Sequence, residues 1–145
     1  MAGPTDGPRY ATRRVDLPDG RVVWGRGLRR SDPPDPPPTF GLYLLGEAPE
    51  DIGWEHRWVR WPDFRNPAST TDAIAALREA HERSAHEVVE LACGGGIGRT
   101  GSAIAILARM AGVPAAEAVA WARANYHPGA GEVPWQRRWV RRVAL

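Results

Sequence analysis

Short apolar runs dominate the first half of the chain, and helical spacings of three and four take over in the second. The first ~20 residues are polar and carry Pro and Gly, so they read as a poorly ordered, flexible stretch. After the turn signal Asp19-Gly20, Arg21 to Trp24 reads as a short strand. Ser31 to Pro38, SDPPDPPP, is an extended loop, because proline forbids both helix and ladder. Prolines this close to strands stiffen a loop more often than they serve as a docking ligand. Phe40 to Leu45 and Trp58 to Trp61 read as further strands. Ser69, Thr70, Thr71 and Asp72 offer N-caps for a helix reaching about His86, with Ile74, Leu77 and His81 at helical spacing. Val88 to Ala92 is a short apolar strand, followed by a glycine run and a helix over Thr100 to Ala111. Pro114 opens a helix to about Tyr126 with Ala118, Trp121 and Ala122 on one face, and Pro134 opens a last one. Strands first and helices afterwards predict an α/β fold, a small central sheet flanked by helices. With no internal repeat, residues 1–145 are expected to form a single domain.

Composition narrows the function classes. Hydrophobic residues make up 43% and charged residues 25%, the balance of a soluble globular protein. No apolar run approaches the roughly 18 residues of a membrane span, and the N-terminus lacks the apolar stretch of a secretory signal. The expected address is cytoplasmic, with no membrane partner. The chain contains no lysine, which removes Walker-type ATP binding and Schiff-base chemistry. A net charge of +2 is too small to argue for nucleic acid. Trp58, Trp61, Trp121, Trp135 and Trp139 sit among apolar periodic positions, where core packing is the expectation for most of them. The single cysteine excludes an internal disulfide framework and a Cys-rich zinc site. It is either an inert small hydrophobe or a nucleophile, and its neighbours must decide.

Those neighbours are VVELACGGGIGRTG, Val88 to Gly101. A strand runs into a glycine loop that ends at a helix N-terminus, which gathers backbone N–H groups and the positive end of a helix dipole around one concavity. Gly96 to Gly101 also spells GxGxxG, the dinucleotide-binding pattern. Its context fails, because Gly112-Val-Pro and another helix follow where a Rossmann unit needs a second strand with an acidic ribose ligand. A buried structural cysteine beside a packing turn leaves the arginine six positions later unexplained. Cys-x5-Arg-Thr explains it. Cys93 can sit below a tetrahedral phosphoryl group while Arg99 closes the ring with two parallel N–H bonds. The backbone N–H groups of Gly94, Gly95, Gly96, Ile97, Gly98 and Arg99 line the loop, and the Thr100 hydroxyl can donate to the sulfur.

The segment resembles the phosphate-binding loop of the protein tyrosine phosphatase superfamily, His-Cys-x-x-Gly-x-x-Arg-Ser/Thr-Gly. Cys93, Gly96, Arg99, Thr100 and Gly101 match, and Ala92 stands where the family carries its histidine. In the family that histidine helps order the loop and favours the thiolate. Trp61-Pro-Asp-Phe64 follows a predicted strand and resembles the family's Trp-Pro-Asp loop, which makes Asp63 the expected general acid. Asp51, Glu55 and Asp72 are weaker candidates. The segment from Val119 through Tyr126 to Gln136 resembles the one leading to a glutamine that orients the hydrolytic water; a solvated first-turn glutamine is the other reading of Gln136. An acid that precedes the cysteine fits the tyrosine and dual-specificity branch rather than the low-molecular-weight one.

The resemblance implies a protein tyrosine phosphatase-like fold and a two-step mechanism without metal or organic cofactor. Cys93 attacks phosphorus while Asp63 protonates the leaving oxygen, and water then cleaves the phosphocysteine. Phosphotyrosine is the expected substrate, with phosphoserine and phosphothreonine open because no separate tyrosine-recognition loop is visible. Inositol lipids rank lower, since the loop is neutral apart from Arg99. The alternative is a phosphatase-like module that holds phosphoprotein without turning it over, motivated by Ala92. A basic stripe of Arg137, Arg138, Arg141 and Arg142 on the last helix either docks an acidic partner or offsets the helix dipole.

Overall fold

The computed structural model describes residues 11–145. Five strands, β1 (Arg13–Asp16), β2 (Val22–Gly27), β3 (Phe40–Leu45), β4 (His56–Arg60) and β5 (Val89–Cys93), form one sheet in the order β1-β2-β5-β3-β4. β1 pairs antiparallel to β2, and every other pairing is parallel. Helices α1 (Thr70–Arg83), α2 (Gly98–Met110), α3 (Ala118–Asn125) and α4 (Pro134–Arg142) complete the α/β fold. Their apolar faces pack with Phe40, Leu42, Leu44, Val59, Leu91 and Cys93 in one hydrophobic core.

The predicted loop over Ser31 to Pro38 carries no helix or strand, and β3 spans the predicted residues. Helix α1 starts at the expected N-cap, where the Ser69 hydroxyl accepts the Asp72 N–H at 3.1 Å. Three features differ from the sequence reading. Arg13–Asp16, within the stretch read as flexible, is an ordered edge strand; Val15 alone points inward, too brief an alternation to read as a strand. Residues 1–10 of that stretch lie outside the described residues. β2 continues past Trp24 through two glycines because tertiary neighbours leave no room for side chains. A Cβ on Gly25 would stand 2.5 Å from the Tyr126 ring, and one on Gly27 would stand 2.5 Å from the Gly95 backbone. Finally, only Trp61 of the five singled-out tryptophans is fully buried. Trp121 and Trp139 pack at the core's margin, while Trp58 and Trp135 are 37% and 51% exposed. Trp58 belongs to edge strand β4, next to the core residue Val59 and on the opposite sheet face, with its indole N–H on the Leu45 carbonyl of β3 at 2.9 Å.

The opposite sheet face is polar and satisfied. Arg26 and Glu90, 6% and 0% exposed, form a bidentate pair at 2.5 and 2.9 Å. Tyr43 donates its hydroxyl to the same carboxylate at 2.6 Å and accepts the Trp54 indole N–H at 2.7 Å. Burial and the adjacent Glu90 charge push the Tyr43 hydroxyl well above the usual phenol range, so it stays a donor. Arg26→Met should cost about 3–5 kcal/mol in urea unfolding, because it strands a buried carboxylate. Adding Glu90→Leu should recover most of that loss.

Candidate active site

The C-terminal ends of the parallel strands converge on one edge, where ligands of open α/β sheets bind. β5 ends at Cys93 and hands over to the glycine loop; β4 ends at Arg60 and hands over to Trp61-Pro-Asp.

The loop is held from three sides. The Leu28 N–H donates to the Cys93 carbonyl at 2.8 Å, and the Arg29 N–H donates to that of Gly94 at 3.2 Å. Gly96 takes φ +77°, and a side chain there would meet the Gly27 nitrogen at 2.3 Å. The buried Tyr126 hydroxyl donates to the Gly96 carbonyl. Burial and the nearby Cys93 push that hydroxyl's pKa up, which keeps the donor in place.

Folded this way, the loop curls back over its own cysteine. The Gly96 N–H reaches Cys93 Sγ at 3.1 Å and the Thr100 hydroxyl donates to it at 3.0 Å. Helix α2 begins at Gly98, and its N-cap Ile97 supplies no capping side chain. The positive end of that helix's dipole therefore adjoins the loop. Ala92 is buried between Arg26 and Tyr43 of the neighbouring strands.

Arg99 is 6% exposed and lies under the acid loop. Its Nη1 donates to the Trp61 carbonyl at 2.9 Å, and its Nε stands 3.5 Å from Asp63 Oδ1. Asp63 is half exposed and accepts its neighbour's N–H, that of Phe64, at 3.0 Å. Phe64 takes the left-handed φ of +59°, a strained conformation that the surrounding contacts must hold. They come from α4. Trp135 Nε1 donates to the Phe64 carbonyl at 2.7 Å, and Gln136 Nε2 donates to that of Arg65 at 3.0 Å. Trp61 Nε1 reaches the same Arg65 carbonyl at 2.6 Å, with its ring edge-on to Trp139. Asp63, Phe64, Arg65, Asn66 and Trp135 line a cleft of about 520 Å³ beside this loop.

The structure thus brings together Cys93, Gly94 to Gly98, Arg99, Thr100 and Asp63, and ties Gln136 to the acid loop. Gln136 is 1% exposed, which corrects the picture of a solvated first-turn residue; its Oε1 accepts no hydrogen bond among the described residues. The weaker acids lie elsewhere: Asp72 pairs with Arg57, Glu55 with Arg83, and Asp51 lines a different cleft with Trp54. Two neighbours escaped the sequence reading. One is Tyr126. The other is Glu132, whose carboxylate would touch a side chain at Gly98, 2.1 Å from its Cβ. Partial burial and the Asp63 charge push the Glu132 carboxyl up, while the Gly98 N–H and Arg99 pull it down less strongly. Both lie in the segment leading to Gln136, but no spacing rule connects them with a loop some thirty residues away. Among the described residues, no group of three His, Cys, Asp or Glu side chains is placed to hold a metal ion.

Comparison with known proteins bears on the fold and the family. The fold matches the crystal structure of Tk-PTP in its active form, with a TM-score of 0.67 at 24% identity, over 87% of this chain and 92% of that one. The G95A mutant form of Tk-PTP matches with a TM-score of 0.71 at 23% identity, over 90% and 91%. No curated protein sequence matches. The Protein-tyrosine phosphatase family model matches residues 43–124, more than half of the chain, from the middle of β3 through the glycine loop into α3. The chain belongs to the protein-tyrosine phosphatase family.

Proposed function

We propose that this protein hydrolyses phosphotyrosine in protein or peptide substrates, and phosphoserine or phosphothreonine where they reach the loop, through a phosphocysteine at Cys93. The observation that carries this reading is the pair of donors on the buried Cys93 Sγ, the Gly96 N–H and the Thr100 hydroxyl, in a glycine loop that runs on to Arg99. Residues 1–145 act as one phosphatase domain. A lone thiol that must stay reduced suits the cytoplasm, and no helix among the described residues is long and apolar enough to cross a membrane.

In the first step Sγ attacks phosphorus in line, the bond to the ester oxygen breaks, and Asp63 passes its proton to that oxygen. The N–H groups of Gly94 to Arg99 and the Arg99 guanidinium carry the phosphoryl charge. In the second step water attacks phosphorus, gives its proton to Asp63, and the P–S bond breaks to release inorganic phosphate and the thiolate. Thr100 stabilises the departing sulfur. Gln136, fixed through Nε2 to the acid loop, offers its Oε1 as an acceptor for the water. The phosphoprotein-binding module remains the second reading, and Ala92 is the residue that favours it.

Phosphate release from a phosphotyrosine peptide tests both. Wild type should turn over without added metal and Cys93→Ser should be inactive; phosphopeptide binding by both proteins with release by neither would favour the binding module. Asp63→Asn should lower kcat by about a hundred- to ten-thousand-fold for a peptide substrate. The loss should shrink for p-nitrophenyl phosphate, whose leaving group needs less protonation.

Glu132→Gln removes a negative charge beside the anion loop. Inorganic phosphate should inhibit this variant about two- to tenfold more strongly at neutral pH, by the Coulomb energy of one charge near the surface. As pH falls, Glu132 becomes neutral and the two proteins should converge. Because its carboxyl is pushed up, convergence should begin above the usual glutamate range.

A further inference from the structure

We propose that the groove running from Asp63 along α4 binds an acidic stretch of the phosphorylated substrate, with Arg138 and Arg142 as the residues that read it. This rests on the phosphatase reading and names the substrate class that the same site prefers.

The cleft beside the acid loop does not end there. A second cleft of about 560 Å³ shares Asn66 and Trp135 with it and continues past Thr70, Arg138, Trp139 and Arg142. Trp135, Arg138, Trp139 and Arg142 recur at helical spacing, so α4 presents them as one face. From Trp135 to Arg142 that face runs about 10 Å along the helix. An extended peptide covers the same distance in about three residues. Both indoles are pinned by their N–H groups, Trp135 to the Phe64 carbonyl at 2.7 Å and Trp139 to the Thr70 hydroxyl at 3.1 Å. The groove is therefore preformed, with aromatic walls and cationic ends.

The arginines are not occupied by the fold. Arg138 and Arg142 are exposed, and the ion pairs among the described residues engage Arg14, Arg21, Arg26, Arg57, Arg83 and Arg99 instead. The competing structural role, satisfying the end of α4, is already filled by a residue of another helix. Arg109 of α2 donates to the Val140 and Val143 carbonyls at 2.9 and 2.8 Å. Arg137 is also accounted for, on the Gly131 carbonyl at 2.8 Å. Of the rest of the basic stripe, Arg138 and Arg142 line the groove. Arg65 adds a third exposed cation at the Asp63 end. Carboxylates flanking a phosphorylated residue complement this arrangement, while the apolar stems and indoles cover the peptide backbone. A net charge of +2 over the whole chain favours a short acidic peptide over a nucleic acid.

The test compares kcat/KM for three phosphotyrosine peptides, with three acidic residues before the phosphotyrosine, three after it, or none. Wild type and the Arg138→Gln/Arg142→Gln variant are assayed alongside p-nitrophenyl phosphate. One acidic peptide should be preferred by wild type, and the variant should lose about two- to thirtyfold on it through KM, as two exposed ion pairs allow. Salt should erase the same advantage. Turnover of p-nitrophenyl phosphate should be unchanged. Equal rates for acidic and neutral peptides, or a preference that survives in the variant, would overturn the inference while leaving the phosphatase reading intact. Inhibition by oligouridylate below the concentrations at which acidic peptide binds would replace the peptide with RNA. If wild type turns over nothing, the phosphatase reading fails instead. Calorimetry with the same peptides then decides the groove, since equal affinities for acidic and neutral peptides would overturn it.

Discussion

The turn from β5 into α2 has to reverse the backbone's hydrogen-bonding role within five residues, from ladder to helix, with almost no side chains to help. At this turn the Gly96 N–H and the Thr100 hydroxyl meet on Cys93 Sγ, beside the N-terminus of α2. Much of the surrounding structure follows from keeping that loop curled. β2 must approach closely enough that Gly25 and Gly27 admit no side chain, and α3 must end where Tyr126 can hold the Gly96 carbonyl. The curl of the loop is thus a property of packing as much as of its own sequence.

A second module, the acid loop, is braced against the first. The Trp61 carbonyl takes Arg99 from below, and two residues of the first turn of α4 take the Phe64 and Arg65 carbonyls from above. That bracing holds Phe64 at positive φ and leaves the Asp63 carboxylate half exposed near the Arg99 guanidinium. The same α4 turn carries Trp135 onward as the wall of a groove. One helix therefore both braces the Asp63 loop and shapes what lies beside it.

The two faces of the sheet divide the work. One face is apolar and welds the helices together; the other buries Arg26 and Glu90 beneath the strand that delivers the cysteine. In register, Ala92 lies between Arg26 and Tyr43, so the position where the family carries a histidine is bordered by this charged network. Such a network specifies one arrangement of β2, β3 and β5, because any slip would leave a buried charge unpaired.

The sequence alone determined what local chemistry encodes. Proline and glycine placed the loops, the Ser69 cap region and helical spacing placed α1, the end of the glycine run placed α2, Pro134 opened α4, and Cys-x5-Arg with Trp-Pro-Asp marked the residues that the fold brings together. It did not show β1, whose short alternation has only Val15 inward, or the full reach of β2, whose glycines read locally as a strand end. Nor did it show which tryptophans are buried, because an edge strand and a surface helix can carry the same apolar period as a core one. Tyr126, Glu132 and the buried Gln136 were decided only by tertiary structure, as was the use of Arg109 rather than the arginines of α4 to finish that helix. The reason is common to all of them. Each acts through a partner distant in sequence, and such a contact leaves no periodicity or spacing in the chain that makes it.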